Sequence, residues 1–249
     1  MTIHLINCFT CNARWPSKLK TGMACLLIES DQGLVLVDTG LGLDDYAHPT
    51  RMTQMFRVVT SMPFNVNEAA INRIKELGYN PEDVRHIILT HMHFDHISGL
   101  PDFPHAKVHV HRSEYETFTD GKKFRWTDSA YDPRYIAHRP EFIFYETIDS
   151  KWYDFDAIRL PLQPEMYFIP LFGHSRGLCG VAIRTKDGWF FQAGDSSALY
   201  DDATPKWLIH LVLGPHDERL RKFKRDHPEV IVSNSHMFPE FIEQYQTID

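Results

Sequence analysis

Thr90-His91-Met92-His93-Phe94-Asp95-His96 gathers three imidazoles and one carboxylate into a few residues, directly after the apolar run Ile87-Ile88-Leu89. Packing gives no reason to collect such groups where a buried strand runs out into a loop. Metal binding does, because neutral imidazole and carboxylate are the donors that divalent transition metals take. In an extended segment residues two apart face the same way, so His91 and His93 are expected to close on one ion, with Asp95 and His96 further along over a second position. Two ions need further donors, and three stand at expected strand or loop ends: His174 in Phe172-Gly173-His174-Ser175, Asp195 in Ala193-Gly194-Asp195-Ser196, and His236 after Ser235. The expected ligands are therefore His91, His93, Asp95, His96, His174, Asp195 and His236. The expected cofactor is two Zn²⁺ per chain, with other divalent transition metals fitting the same donors. The alternative is a His-rich strand end without function in a chain that holds 15 His; the HxHxDH spacing argues against it.

Strands must hold these donors in place. Residues 3–8 and 22–30 read as strands, Asp31-Gln32-Gly33 is a turn signal, and Leu34-Val35-Leu36-Val37 returns as the hairpin partner, ending at Asp38-Thr39-Gly40. Residues 41–66 form a connection of a length more common in binding loops and lids, and its Met and Phe residues either wall an apolar pocket or tuck onto the core. Residues 67–77 space Ala70, Ile71, Ile74 and Leu77 as a helix, with Asn67 as cap and Gly78 as stop. Residues 107–111 alternate as a strand, whose His109 and His111 share a face but have no third donor close in sequence and are not counted as ligands. A helix is expected over 113–118, with Ser113 capping and Glu114 and Glu116 in the first turn, where the dipole favours acid. Residues 119–155 are rich in aromatics and make either a pocket mouth or a satellite cluster. Further strands are expected over 166–169, 178–184, 189–193 and 229–233. The basic run 219–225 reads as a helix with Leu220 and Phe223 on a buried stripe.

HxHxDH, the later Gly173-His174, Gly194-Asp195 and Ser235-His236, and Val37-Asp38-Thr39-Gly40 upstream resemble the metallo-β-lactamase superfamily, in order and spacing over nearly the whole chain. Gly78-Tyr79-Asn80-Pro81-Glu82-Asp83 and Arg112-Ser113-Glu114-Tyr115-Glu116 resemble its N-acyl-homoserine lactonase branch. The resemblance implies an α/β fold, a four-layer αβ/βα sandwich with the site at one edge of its paired sheets, formed as a single domain over residues 1–249. It implies one ion on His91, His93, His174 and Asp195 and another on Asp95, His96, His236 and Asp195, with Asp195 bridging and Asp38 supporting the site without binding metal. It also implies attack by a metal-bound hydroxide, with Asp95 handing a proton to the leaving alkoxide. Redox diiron relatives carry Glu at the position of Phe94, so an apolar residue there resembles the hydrolases. Lactonases usually carry Tyr three residues after the bridging Asp; this chain has Ala198 there, and Tyr200 is the candidate to contact a substrate carbonyl. The expected activity is opening of N-acyl-homoserine lactones or related lactones, with a thioesterase or other ester hydrolase as the alternative on the same centre.

The formal net charge of −7 and pI near 6.1 disfavour a phosphate-backbone partner, which leaves nucleic-acid processing as the lesser alternative and a small-molecule lactone or ester as the expected partner. The N-terminal residues have neither a basic nor a sustained apolar region, and no stretch has bilayer-spanning length, so a cytoplasmic protein without a membrane partner is expected. Cys8, Cys11, Cys25 and Cys179 make no disulfide framework, and Cys8-Phe9-Thr10-Cys11 lacks the second pair of a zinc ribbon. Nothing in the sequence sets an oligomeric state.

Overall fold

The computed structural model describes residues 2–12, 20–121, 126–199 and 204–249. Its first sheet contains β1 (Ile3–Asn12), β2 (Lys20–Ile28), β3 (Leu34–Val37), β4 (Val84–Ile88), β5 (Lys107–His111) and β6 (Glu141–Tyr145). The second contains β7 (Ser150–Trp152), β8 (Phe155–Leu160), β9 (Met166–Pro170), β10 (Cys179–Arg184), β11 (Trp189–Gln192) and β12 (Val230–Ser233). The chain then returns to the first sheet, where β13 (His236–Met237) pairs with β2 and β14 (Thr247–Ile248) pairs with β1. The strand orders are β14-β1-β2-β3-β4-β5-β6 and β12-β11-β10-β9-β8-β7.

Alternation along the strands builds the layers, because successive side chains point to opposite faces. Leu5, Leu26, Val37 and Ile88 face inward and meet Ile158, Phe168, Val181 and Phe190 of the second sheet. Their neighbours Ile6, Leu27, Leu36 and Ile87 face outward and are covered by residues that include Ile74 and Phe118. On the far side Ala157, Ile169, Ala182 and Phe191 pack against Leu220 and Phe223. Three stacked apolar cores between two helical and two sheet layers give the expected αβ/βα sandwich.

The helices are α1 (Leu43–Ala47), α2 (Arg51–Thr60), α3 (Ala70–Glu76), α4 (Phe94–Ile97), α5 (Arg112–Asp120), α6 (Lys206–Leu213), α7 (Asp217–Asp226) and α8 (Pro239–Gln244). The long connection after β3 therefore contains α1 and α2, the latter capped by Thr50, whose side chain accepts from the Thr53 N–H at 2.9 Å. The helix expected over 67–77 is divided. Asn65 caps a short 3₁₀ turn over Val66–Glu68, and α3 starts after Ala69. The cap of α5 is His111 rather than Ser113, its Nδ1 accepting the Ser113 N–H at 3.3 Å. His109 is buried away from the metal motifs, between the His86 ring (Nδ1 at 2.9 Å) and the Tyr145 hydroxyl (2.8 Å). All four cysteines are buried free thiols.

Candidate metal centre

The expected donors come from both sheets. β4 ends at Ile88, the chain stays extended through His93, and α4 then turns, so Asp95 and His96 reach the site from a helical turn and not from the extended segment expected. His174 lies in the connection between β9 and β10, Asp195 follows β11 after Gly194, and His236 opens β13. Gly194 has φ +60, a left-handed conformation that glycine adopts without strain, immediately before Asp195.

The donor atoms converge as two groups around one carboxylate oxygen. His93 Nδ1 lies 3.1 Å from His91 Nε2 and 3.0 Å from His174 Nε2. Asp195 Oδ2 lies 3.6 Å from His174 Nε2, 3.5 Å from His96 Nε2 and 3.4 Å from His236 Nε2. Asp95 Oδ2 completes the second group, 3.4 Å from His236 Nε2 and 3.9 Å from His96 Nε2. A tetrahedral ion with Zn–N bonds of 2.0–2.1 Å has ligand–ligand edges of about 3.4 Å, so these separations fit such ions. Among the described residues, His96 Nε2 and Asp195 Oδ1, both at the site, are buried without a hydrogen-bond partner. Orphans this concentrated are costly unless a cation satisfies them, and the residues present fit the metals that the sequence implies.

Electrostatics divide the two groups. Burial, helped by the neighbouring imidazoles, pushes His91 and His93 well below the usual histidine range, so both are neutral with lone pairs available. Burial also opposes charge on His96, but Asp195, Asp38 and Asp95 outweigh it and raise it to about 10. His236 is raised well above its ordinary value because Asp195 and Asp95 overcome its burial. Asp195 is buried too, and His236 and His96 nonetheless hold it well below the carboxylate range. In the absence of an ion, protons on His96 and His236 balance the carboxylates; a divalent cation supplies the same charge.

Buried carboxylates brace the loops. Asp38 sits in a turn with φ +55, followed by Gly40 at φ +62, where a Cβ would meet Cys8 Cβ at 2.5 Å. Its Oδ1 accepts the Thr90 N–H at 2.8 Å, and Oδ2 accepts the Thr90 hydroxyl at 2.7 Å and faces His96 Nδ1 at 2.9 Å. His96 thus has the orientation and tautomer that leave Nε2 toward Asp195. Asp45 accepts from Ser98, Tyr135, Thr53 and Arg134, tying α2 to the residue that follows α4. Asp217 accepts from the Ser197 hydroxyl and the Ala198 N–H, fixing the loop beyond Asp195. Glu114 is fully buried against the loops of His91, His93 and His174. Sequence reasoning missed the bracing by Asp45, Asp217 and Glu114, since a lone acid in or near a helix carries no local signal of a distant partner.

An aromatic wall flanks the second group: Phe56 of α2 meets Phe94 at 5.2 Å and Phe9 at 6.1 Å between ring centroids, and Phe9 lies 6.0 Å from the His236 ring. Tyr131 lies 5.0 Å from the His93 ring on the other side. Tyr200, expected to meet a substrate carbonyl, lies outside the described residues. Among the described residues no helix is long and apolar enough to cross a membrane.

The model of the metallo-β-lactamase superfamily matches residues 23–236. A probable metallo-hydrolase of Mycobacterium tuberculosis is 35% identical over 235 residues, covering 90% of this chain and 71% of its own. An N-acyl homoserine lactonase of Bacillus thuringiensis is 36% identical over 93 residues, 37% of each chain. Among solved structures, an N-acyl homoserine lactone hydrolase with N-hexanoyl-L-homoserine bound at its catalytic metal centre superposes with TM-score 0.67 at 20% identity, covering 98% of this chain and 95% of its own. A dizinc quorum-quenching lactonase gives TM-score 0.58 at 18% identity over 89% and 74%. With the motif residues gathered at one edge of paired sheets and the family model spanning most of its length, this chain belongs to the metallo-β-lactamase superfamily and is a hydrolase.

Proposed function

We propose that residues 1–249 act as one domain, a lactonase that opens N-acyl-homoserine lactones or related lactones with two divalent ions, zinc foremost, in the cytoplasm. The observation that carries this reading is the convergence of seven donors on two adjacent positions with Asp195 Oδ2 between them. His91, His93 and His174 would hold one ion, Asp95, His96 and His236 the other, and Asp195 both. Ions held there supply Lewis acidity, which polarises an ester carbonyl and makes water acidic enough to yield a nucleophile near neutral pH. Asp195 fixes the spacing of the two halves. Asp95 is placed to accept the proton lost by the attacking water and return it to the alkoxide as the ring opens, so a neutral lactone and water leave as a hydroxy acid. Phe94, Phe56 and Phe9 pack edge to face beside Asp95 and His236 and make that side of the site apolar.

The test has two parts. Elemental analysis of protein purified with zinc should return about two ions per chain, because seven donors exceed what one four-coordinate ion uses. A panel of acyl-homoserine lactones, other lactones and thioesters, followed by pH-stat, should show lactone opening, with longer tails lowering KM more than they raise kcat. Cleavage of thioesters with no lactone opened would replace the substrate assignment and leave the metal-dependent ester hydrolase standing; Ala198, where lactonases usually have Tyr, is the residue that makes this arm necessary.

A further inference from the structure

Glu114, in the first turn of α5, is fully buried, and all its acceptor capacity is taken up by three separate segments. Oε1 accepts the Met92 N–H at 2.8 Å and the Tyr131 hydroxyl at 3.0 Å. Oε2 accepts the Ser175 hydroxyl at 2.7 Å and the Gly177 N–H at 2.9 Å. Met92 stands between His91 and His93, and Ser175 follows His174. Tyr131 lays its ring against that of His93. Gly177 has no side chain because a Cβ there would lie 2.3 Å from the Glu114 backbone nitrogen. One carboxylate therefore joins every segment that supplies or flanks the imidazoles of the first group, and those imidazoles need joining. Their nitrogens converge on one point, His93 Nδ1 standing 3.1 Å from His91 Nε2 and 3.0 Å from His174 Nε2, and with no cation present the surrounding scaffold must hold the three buried rings there.

We propose that Glu114 is a positioning residue that assembles the three-histidine half of the centre, setting the affinity of its ion while leaving the Asp95/His96/His236 half untouched. The proposal rests on the reading that these groups hold metal. Glutamine separates the carboxylate from its shape. It has one acceptor oxygen, so it can serve the backbone N–H of Met92 or that of Gly177, and its own NH₂ must face the other; the hydroxyls of Tyr131 and Ser175 can rotate to accept, but a backbone N–H cannot.

The experiment is zinc competition against a chromophoric chelator on the full chain, in two backgrounds: His236→Ala, which leaves the three-histidine half intact, and His91→Ala, which leaves the other. Glu114→Gln should weaken zinc about tenfold to a hundredfold in the first background, the range for losing a partner that orients ligands, and by less than about threefold in the second. Equal weakening in both, or none in the first, overturns the proposal. A merely structural role would lower both affinities together with the melting temperature of the metal-free protein. If Glu114→Gln does not fold, Ser175→Ala takes its place: it removes one of four donors, and a loss of about three- to tenfold confined to the His236→Ala background supports the proposal, whereas no loss overturns it. Wild-type protein that takes a single zinc ion would sink the two-ion reading alone, since Glu114 is judged by the ratio of variant to parent within one background.

Discussion

Asp38→Asn tests whether the fully buried carboxylate beside the HxHxDH loop governs a ligand that it does not share. Asp38 accepts the Thr90 N–H on Oδ1 and faces both the Thr90 hydroxyl and His96 Nδ1 with Oδ2. Asparagine has nearly the same volume, and its oxygen can keep the backbone N–H. Its NH₂ then meets the Thr90 hydroxyl, which can turn round and accept, and His96 Nδ1, which must give up its proton to do so. In the neutral ring that a metal needs, the one proton then sits on Nε2, the atom directed at Asp195 and Asp95. A ligand whose donor atom carries a proton must change tautomer before it binds, and the change costs the new hydrogen bond. One charge-assisted hydrogen bond is worth about 1.5–3 kcal/mol, so a central figure of about 2 kcal/mol corresponds to about thirtyfold in zinc affinity. Chelator competition reads this directly. The reasoning is refuted if Asp38→Asn binds both ions within about threefold of wild type.

Asp195→Asn should lower turnover by at least about a hundredfold and also reduce metal retention, because Asp195 Oδ2 is the atom common to both groups; near-native kinetics with near-native metal content would displace it as the bridge. Gly177→Ala should destabilise the protein by about 2 kcal/mol, measured by chemical denaturation, since the new methyl meets the backbone of α5 at 2.3 Å. His109 is pulled down to about 3 by burial, with His86 and Lys107 adding to the shift, against an unfolded value of 6.5. The folded chain therefore resists a proton that the unfolded chain accepts: this stability is fully present above pH 6.5 and is lost at about 1.4 kcal/mol per pH unit as pH falls toward 3. His109→Gln should accordingly lose about 2 kcal/mol less than wild type between pH 7 and 4.5 in denaturant titrations, and identical pH profiles would contradict the assignment.

Legibility in the sequence followed the range of the interactions. HxHxDH is local, and four of its six positions are donors with two apolar residues between them, so the donors of one loop were readable together. His174, Asp195 and His236 were readable because each follows or opens an apolar strand whose alternation also fixes the sandwich. Where competing local signals existed, the sequence misled: Asn67 has the composition of a cap, but Asn65 caps a 3₁₀ turn first, and Ser113 yields its place to His111, whose ring nitrogen accepts the Ser113 N–H. Glu114 looked like an ordinary acid complementing a helix dipole. Its partners are 22 residues upstream at Met92 and 63 downstream at Gly177, and no pattern along the chain links them. The histidines of β5 also divided according to tertiary surroundings, His109 pairing with a neighbouring strand and His111 ending its own.

The donors are divided between the sheets: the loop after β4 and the start of β13 belong to the first, whereas His174 and Asp195 leave strands of the second. Neither half can build the centre by itself, and the bridging oxygen arrives only when β11 is seated. The complete set of donors thus exists only once the two sheets have met across their shared core. The first ninety-odd residues alone would offer the HxHxDH donors without their counterparts. With ions held as proposed, the centre would act as a clasp across the mouth of the sandwich, and removing them with a chelator should loosen the two sheets at that edge first, which amide exchange along β11 and β13 would register before the rest of either sheet.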